Sequence, residues 1–135
     1  MNQKRISIIA SVVALLVIVF VCLLFGTKGA KKSGQIHLYI TGENGKVLLN
    51  QEVDFYQGEV LIDVLRRNVE VEEGKGSQKG MIIGINGDTT DITKEYYKLV
   101  VNCEFASVGA WELVPSDQDE IRITYSSIED WEVGC

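Results

Sequence analysis

The first 25 residues contain the longest apolar stretch of the chain. Ile6–Phe25 has no charged side chain, and only two serines and a cysteine interrupt it. A helix needs about 20 such residues to cross the hydrocarbon core of a membrane. The pattern therefore predicts one transmembrane signal anchor at residues 6–25, preceded by a short basic tail at residues 1–5.

The same run leaves two alternatives open. A cleaved signal peptide has a shorter apolar core, about 7–15 residues, and a small-x-small site, of which Thr27-Lys28-Gly29 is a weak example. A lipoprotein signal would place a lipid on Cys22, although Val19-Phe20-Val21 lacks the usual small residue. Lys and Arg tend to stay on the cytoplasmic side of a span, but they flank this run in nearly equal numbers, so charge alone does not choose the orientation. The short tail and the signal-like layout favour a single-pass protein of the cell membrane with an extracytoplasmic C-terminal domain.

Beyond residue 35 the apolar positions follow the periods of a folded α+β domain. Ile36, Leu38 and Ile40 alternate with other residues, which indicates a half-buried strand. Asn44-Gly45 is a hairpin signal. Val60–Asn68 is the one convincing soluble helix, with an apolar stripe at i, i+3 and i+4. Because this helix is short, it needs a sheet to pack on.

Further strands are predicted at Met81–Ile85, Tyr97–Val101 and Ile121–Tyr125, and Glu70–Gly80 is predicted to be a polar loop. Strands before and after a single helix indicate an α+β domain with the helix on one face of the sheet. We therefore expect a juxtamembrane linker at 26–35, one domain at 36–127, and an acidic, aromatic tail at 128–135.

Charge and cysteine content narrow the choice of partners. Five of the 13 Lys and Arg flank the apolar run, so eight remain against 19 acidic side chains, a formal charge of −11. Such a surface repels phosphate backbones, and we expect no nucleic-acid partner. An oxidising exterior permits a bridge between Cys103 and Cys135. The end of a chain also tends to fray, so the redox state of this pair stays open.

The sequence offers little catalytic or metal-binding chemistry. His37 is the only histidine, it lies on a predicted strand, and a cysteine nucleophile would depend on it as base. Asp88–Asp91 and Asp117–Glu120 cluster oxygens without the spacing of a calcium loop. We expect no enzyme, no catalytic residue, no metal site and no resident cofactor.

The segment from Tyr96 to Trp111 is the strongest candidate for a binding site. It combines a strand, a turn and small residues with aromatic ones. Small residues admit a close surface, and aromatic rings stack on a flat or ring-shaped ligand. Packing of these side chains in the core is the alternative. The candidate ligand-binding residues are Tyr97, Asn102, Phe105, Val108, Gly109 and Trp111.

Several short motifs, taken in order, resemble the family of transcobalamin-like C-terminal domains, a bacterial domain of unknown function of the DUF4430 type. They are Gly58–Leu65, Ile82–Gly87, Tyr96–Asn102, Val108–Ala110 and Ile121–Tyr125. The resemblance implies a ubiquitin-like, β-grasp-type mixed sheet with one packed helix. Tyr97 stands where a tryptophan is common, and Cys103 and Gln118 stand where glycines are common. We expect the loss of those two glycines to change two turns.

In the cobalamin carriers that this family resembles, the equivalent domain closes over one face of the corrinoid, and a helical domain holds the other. The resemblance therefore implies a membrane-tethered, extracytoplasmic module for a corrinoid or cobalamin-like ligand. Such a module would act with a transporter or a helical partner protein. The alternative hypothesis is a protein-interaction or cell-envelope module without a small-molecule ligand, which would use a sheet edge or Trp131.

Overall fold

The computed structural model describes residues 3–25 and 31–135. The chain forms two compact units, and the boundary between them follows Lys31. The predicted linker at 26–35 lies outside the described residues over 26–30. Its last four residues, 32–35, belong to the first strand of the second unit. That part of the linker prediction was wrong because backbone pairing with the next strand, rather than apolar alternation, extends the strand to Lys32.

The first unit is the helix α1 (Gln3–Phe25). Its Gln3–Val21 part has a mean hydropathy of 2.4 and is long and apolar enough to cross a membrane. The Ser11 hydroxyl donates to the Ser7 carbonyl at 3.0 Å, so this polar group is satisfied within the helix. The predicted helix is confirmed. Its length and composition fit a membrane anchor as well as a signal sequence.

The second unit contains one α-helix, two short 3-10 helices and eight strands. The α-helix is α2 (Leu61–Asn68). The strands are β1 (Lys32–Thr41), β2 (Val47–Tyr56), β3 (Val71–Glu73), β4 (Ile82–Ile85), β5 (Asp88–Thr89), β6 (Glu95–Val101), β7 (Glu104–Phe105) and β8 (Glu120–Ser127). The main sheet has five strands in the order β2-β1-β8-β6-β7, and β3-β4-β5 form a smaller sheet.

The main sheet is mixed, as the predicted β-grasp type requires. β1 and β8 run parallel, whereas β1–β2, β6–β8 and β6–β7 are antiparallel pairs. The β1–β2 hairpin turns at Asn44 and Gly45, whose φ angles are 58° and 76°. These positive values explain why an Asn-Gly pair stands there. The predicted α+β class with a mixed sheet is confirmed.

The helix α2 packs its apolar stripe into the core. Its buried residues share one cluster with residues of the same sheet face on β1 and β8. The members from these elements are Leu61, Ile62, Val64, Leu65, Ile36, Leu38, Ile40, Ile121 and Ile123. No side chain caps the helix at Val60. Instead, the backbone N–H groups of Leu61 and Ile62 donate to the carbonyls of Leu113 and Ala110, at 2.8 and 2.9 Å. The loop that contains Ala110 and Leu113 therefore caps the N-terminus of α2.

Three short strands were missed in the sequence. β3 lies inside the segment predicted as a loop, and it forms because Val71 and Glu72 pair with Ile85 and Gly84 of β4. β5 pairs two residues with β4, and β7 follows the turn after β6 and pairs two residues with it. All three strands depend on a backbone partner and are too short for a side-chain period to reveal.

Candidate functional site

A groove with a volume of about 530 Å³ lies in the second unit, within the range of small-molecule sites. We call it the aromatic groove. Its lining residues are Gly80, Met81, Ile82, Tyr96, Tyr97, Lys98, Leu99, Phe105, Ala106, Val108, Gly109, Ala110, Trp111, Ile123 and Trp131. Five of these residues are aromatic, namely two tyrosines, two tryptophans and Phe105, and one, Lys98, carries a charge.

The groove follows the outer edge of β6. Side chains alternate across a strand, and the lining takes Tyr97 and Leu99 from one face and Tyr96 and Lys98 from the other. β7 pairs only with the last two residues of β6. Within the described part of the chain, residues 95–99 therefore have no strand neighbour of the main sheet on that side. The short length of β7 leaves this edge of β6 open to the groove.

The wall opposite β6 comes from the loop after β7. This loop contributes Val108, Gly109 and Trp111, and Phe105 at the end of β7 adjoins them. It is fixed by its bonds to the start of α2 and by a tight turn in which the N–H of Leu113 donates to the Gly109 carbonyl at 3.0 Å. Space is open at Gly109, where an added Cβ would meet no atom within 4 Å. The helix cap and the groove wall are thus one structure.

Tyr97 borders the groove with its ring and serves the fold with its hydroxyl. The hydroxyl donates to the Asp88 carbonyl, and the ring meets that of Tyr125 edge-on at a centroid distance of 5.6 Å. Burial, and next the charge of Asp88, raise the pKa of Tyr97 to about 12. Tyr97 is therefore neutral and held in place at ordinary pH.

Asn102 lies outside the groove lining. It occupies the β6–β7 turn, where its side-chain amide donates to Asp119 Oδ1 and its Oδ1 accepts from the Glu120 N–H, both at 2.9 Å. Asn102 and Cys103 have φ angles of 51° and 63°, and Gln118 has 69°. Our expectation that the missing glycines change these turns stays a prediction. The non-glycine residues adopt the left-handed conformation themselves.

The 128–135 segment closes one end of the groove with Trp131. It is held by Lys98, which is buried and whose Nζ donates to Asp130 Oδ2 at 3.2 Å and to the Glu132 carbonyl. The Tyr96 hydroxyl donates to the Asp130 carbonyl at 3.2 Å. A hydrogen bond from the Glu132 N–H, and next the contact with Lys98, lower the pKa of the Asp130 carboxyl. The one cation in the lining is therefore neutralised by this segment.

A disulfide joins Cys103 to Cys135, with a Cα–Cα distance of 5.7 Å. The bridge links the β6–β7 turn to the end of the 128–135 segment. The sequence left this pairing open, because nothing in the spacing showed that the two residues come together. In the structure both cysteines lie at exposed positions.

The structure brings five of the six candidate ligand-binding residues together in one lining: Tyr97, Phe105, Val108, Gly109 and Trp111. Their role in binding stays a prediction. Sequence reasoning missed Met81 and the contribution of Trp131 to this lining. For Trp131, the available signal was a tryptophan in a polar tail. For Met81, a methionine at the start of a predicted strand was only a weak signal.

Catalytic and metal chemistry has little support in the described residues. His37 Nε2 forms a hydrogen bond of 2.8 Å with Oδ1 of Asn50, which lies on the neighbouring strand β2. Among residues 3–25 and 31–135, no group of three or more His, Cys, Asp or Glu side chains is arranged to hold a metal ion. The expected lack of an enzymatic activity stays a prediction.

The fold and the groove define an α+β domain with a potential binding surface at a sheet edge. The family model "Domain of unknown function (DUF4430)" matches residues 58–127, and the chain therefore belongs to this family. The family named from the sequence motifs is thus confirmed. The search of curated proteins gives no match.

Two solved structures share the fold. One is haptocorrin in complex with Cbi, with a TM-score of 0.54 and 18% identity, covering 70% of this chain and 26% of haptocorrin. The other is a protein from Ruminococcus gnavus ATCC 29149 described as a candidate metal-binding protein. It has a TM-score of 0.52 and 18% identity, covering 70% of this chain and 97% of its own. At this identity the likeness shows the fold alone.

Proposed function

We propose that this chain is a membrane-tethered, extracytoplasmic ligand-binding module, and that its ligand is a small molecule of the corrinoid type. The observation that carries the proposal is the aromatic groove. Its volume suits a small molecule or one part of a larger one. Its rings offer stacking area, and its only charge is already paired with the 128–135 segment.

The corrinoid class is supported from two independent sides. Haptocorrin, whose structure contains Cbi, a cobalamin analogue, shares the fold. The groove is lined by rings and small residues, which suit the flat face of a macrocycle. A bare metal ion has weaker support, because the described residues hold no cluster of three metal-ligating side chains.

The openness of the groove suggests that a partner completes the site. Phe105, Val108 and Trp131 line it and are still 43%, 39% and 74% exposed. A ligand seated here would keep one face accessible to solvent. We propose that a transporter or a helical protein covers that face. Tethering through α1 would raise the local concentration of this module beside a membrane-bound partner.

The test is equilibrium dialysis of the full chain in lipid nanodiscs against cobinamide and cobalamin. Saturable binding of either corrinoid is expected. Gly109→Leu should abolish it, because the new side chain fills open groove space without meeting a neighbouring atom at its Cβ. Ser107→Leu is the matched control, since Ser107 is exposed, lies outside the lining, and should bind as the unchanged chain does. Absence of saturable binding up to the solubility limit of both corrinoids would overturn the proposal.

The proposed orientation has its own test. A reporter enzyme that is active only outside the cytoplasm is fused after residue 135. Activity in intact cells is expected if the second unit is extracytoplasmic. Activity of a cytoplasm-only reporter at the same position would contradict the localisation and, with it, access to an external ligand.

A further inference from the structure

The 128–135 segment contributes to the groove although it lies beyond the residues that match the family model, 58–127. Trp131 is the residue that it brings to the lining. The side chain of Trp131 is 74% exposed. Because so little of this ring is buried, packing alone does not fix it. Its position depends on the attachments of the residues on either side.

The attachments before and just after Trp131 are polar. The N–H of Ile128 donates to the Lys94 carbonyl at 2.9 Å, and that of Asp130 to the Ser127 carbonyl at 3.0 Å. The N–H of Glu132 donates to Asp130 Oδ1 at 3.0 Å. The Lys98 ammonium donates to the Asp130 carboxylate and to the Glu132 backbone carbonyl. Each neutral backbone hydrogen bond contributes little, whereas the bonds donated by the buried Lys98 ammonium are stronger.

The attachment after Trp131 is covalent. The Cys103–Cys135 disulfide spans 32 residues and ties the end of the segment to the β6–β7 turn, one residue before β7. Phe105 of that strand also lines the groove. The bridge therefore connects two parts of the same wall. Without it, the segment would be held by the polar contacts of Ile128, Asp130 and Glu132 alone.

We infer that the 128–135 segment is a clamp that seats Trp131 on the aromatic groove, and that the Cys103–Cys135 disulfide sets whether the clamp is closed. The inference rests on the proposed function for its consequence, which is redox control of ligand affinity. The oxidised chain binds with Trp131 in place. The reduced chain loses that ring for part of the time and binds more weakly.

The redox step needs a dithiol reductant, such as a thiol-disulfide oxidoreductase. One thiolate of the reductant attacks a sulfur of the bridge and forms a mixed disulfide, and the second thiolate resolves it. Two electrons and two protons pass to the bridge. The products are the Cys103 and Cys135 thiols and the oxidised dithiol. The exposed positions of both cysteines allow this attack.

The first experiment uses no ligand. Hydrogen exchange by mass spectrometry is measured on the full chain with Cys22→Ser, in nanodiscs, with and without dithiothreitol. Reduction is expected to speed exchange of the 128–135 amides and to leave the β1 and β8 amides unchanged. Cys103→Ser/Cys135→Ser should exchange at the fast rate with or without reductant. Equal exchange of 128–135 in the oxidised and reduced chains would overturn the clamp.

The second experiment measures cobinamide affinity by dialysis. Trp131→Ala is expected to bind about tenfold more weakly than the unchanged chain, the size of one lost aromatic stacking contact. The double serine variant should also bind more weakly, by a smaller factor, because its Trp131 ring is still in place for part of the time. Trp131→Ala keeps the bridge, so it remains informative if the double variant does not fold. Unchanged affinity in Trp131→Ala would overturn the role of the clamp in binding. If exchange shows the clamp but no chain binds cobinamide, the clamp stands and the proposed function fails.

Discussion

At the scale of single residues, Tyr97 shows how one side chain serves both fold and site. Its hydroxyl is committed to the Asp88 carbonyl, while its ring borders the aromatic groove. A tyrosine held in this way cannot rotate to follow a ligand. The groove therefore offers a preformed surface at this position, which reduces the entropy lost on binding.

The titration of Tyr97 gives a prediction for the pH dependence of stability. Burial raises its pKa from 10.0 to about 12 in the folded chain. Between these values the folded state keeps a proton that the unfolded state has released, so the free energy of unfolding should fall as pH rises through this window. The hydrogen bond to Glu95 also raises the pKa of Tyr125, so phenolate absorbance should show a late titration step from both tyrosines, which Tyr97→Phe reduces by one phenolate. A Tyr97→Phe chain with the same late step and the same loss of stability would contradict the assignment.

Backbone strain at Gln118 gives a second prediction. Its φ of 69° is costly for a residue with a Cβ, by about 1–2 kcal/mol, and glycine avoids this cost. Gln118→Gly should therefore raise the free energy of unfolding by about 1 kcal/mol, after the added flexibility of the unfolded chain is subtracted. Denaturant unfolding at constant m-value measures the change.

The matched control for Gln118 is Gly45→Ala. Gly45 has a φ of 76° and no atom within 4 Å of an added Cβ, so only backbone strain changes. The alanine should lower the free energy of unfolding by about 1 kcal/mol. Equal stability of Gln118→Gly and the unchanged chain would show that the turn relaxes without glycine.

The candidate residues illustrate what the sequence could and could not predict at this scale. Tyr97, Phe105 and Trp111 were found because aromatic residues near small ones are a local pattern. Asn102 was grouped with them by proximity, yet its side chain ties the turn to Asp119 and Glu120. These two partners lie just before and at the start of β8. A single sequence carries no signal for hydrogen bonds between residues so far apart in the chain.

At the scale of elements, the long strands and the helix were predictable and the short strands were not. β1, β6 and β8 carry several alternating apolar side chains each, which is enough for a period to appear. β3 and β7 have three and two residues. The groove depends on where β7 stops, so its existence could not be predicted from periodicity.

The disulfide links elements that are distant in the chain, and its removal should be measurable. Closing a loop of 32 residues restricts the unfolded chain, and this restriction stabilises the fold by about 3 kcal/mol. Cys103→Ser/Cys135→Ser should lower the free energy of unfolding by that order, and the midpoint of thermal unfolding with it. The single variants should show a similar loss, because either one removes the same bridge. A double variant as stable as the oxidised chain would indicate that the segment constrains nothing in the unfolded state.

At the scale of the whole molecule, the chain combines an apolar helix with an acidic domain. The helix is long and apolar enough to span a membrane. The soluble part, with a formal charge of −11, is repelled by anionic lipid headgroups.

The role of the helix can be tested by placing charges at its centre. Each arginine at mid-membrane costs about 2.5–3.5 kcal/mol of insertion free energy. The unchanged chain should stay in the membrane fraction after alkaline carbonate extraction, whereas Val12→Arg/Leu15→Arg should be released or fail to insert. Val47→Arg is the control, because Val47 is 52% exposed on β2 of the second unit and should not affect membrane association. The intact mass of the extracted chain should include residues 1–25. A shorter mass would mean that the helix is a cleaved signal, and the groove would then act without a tether.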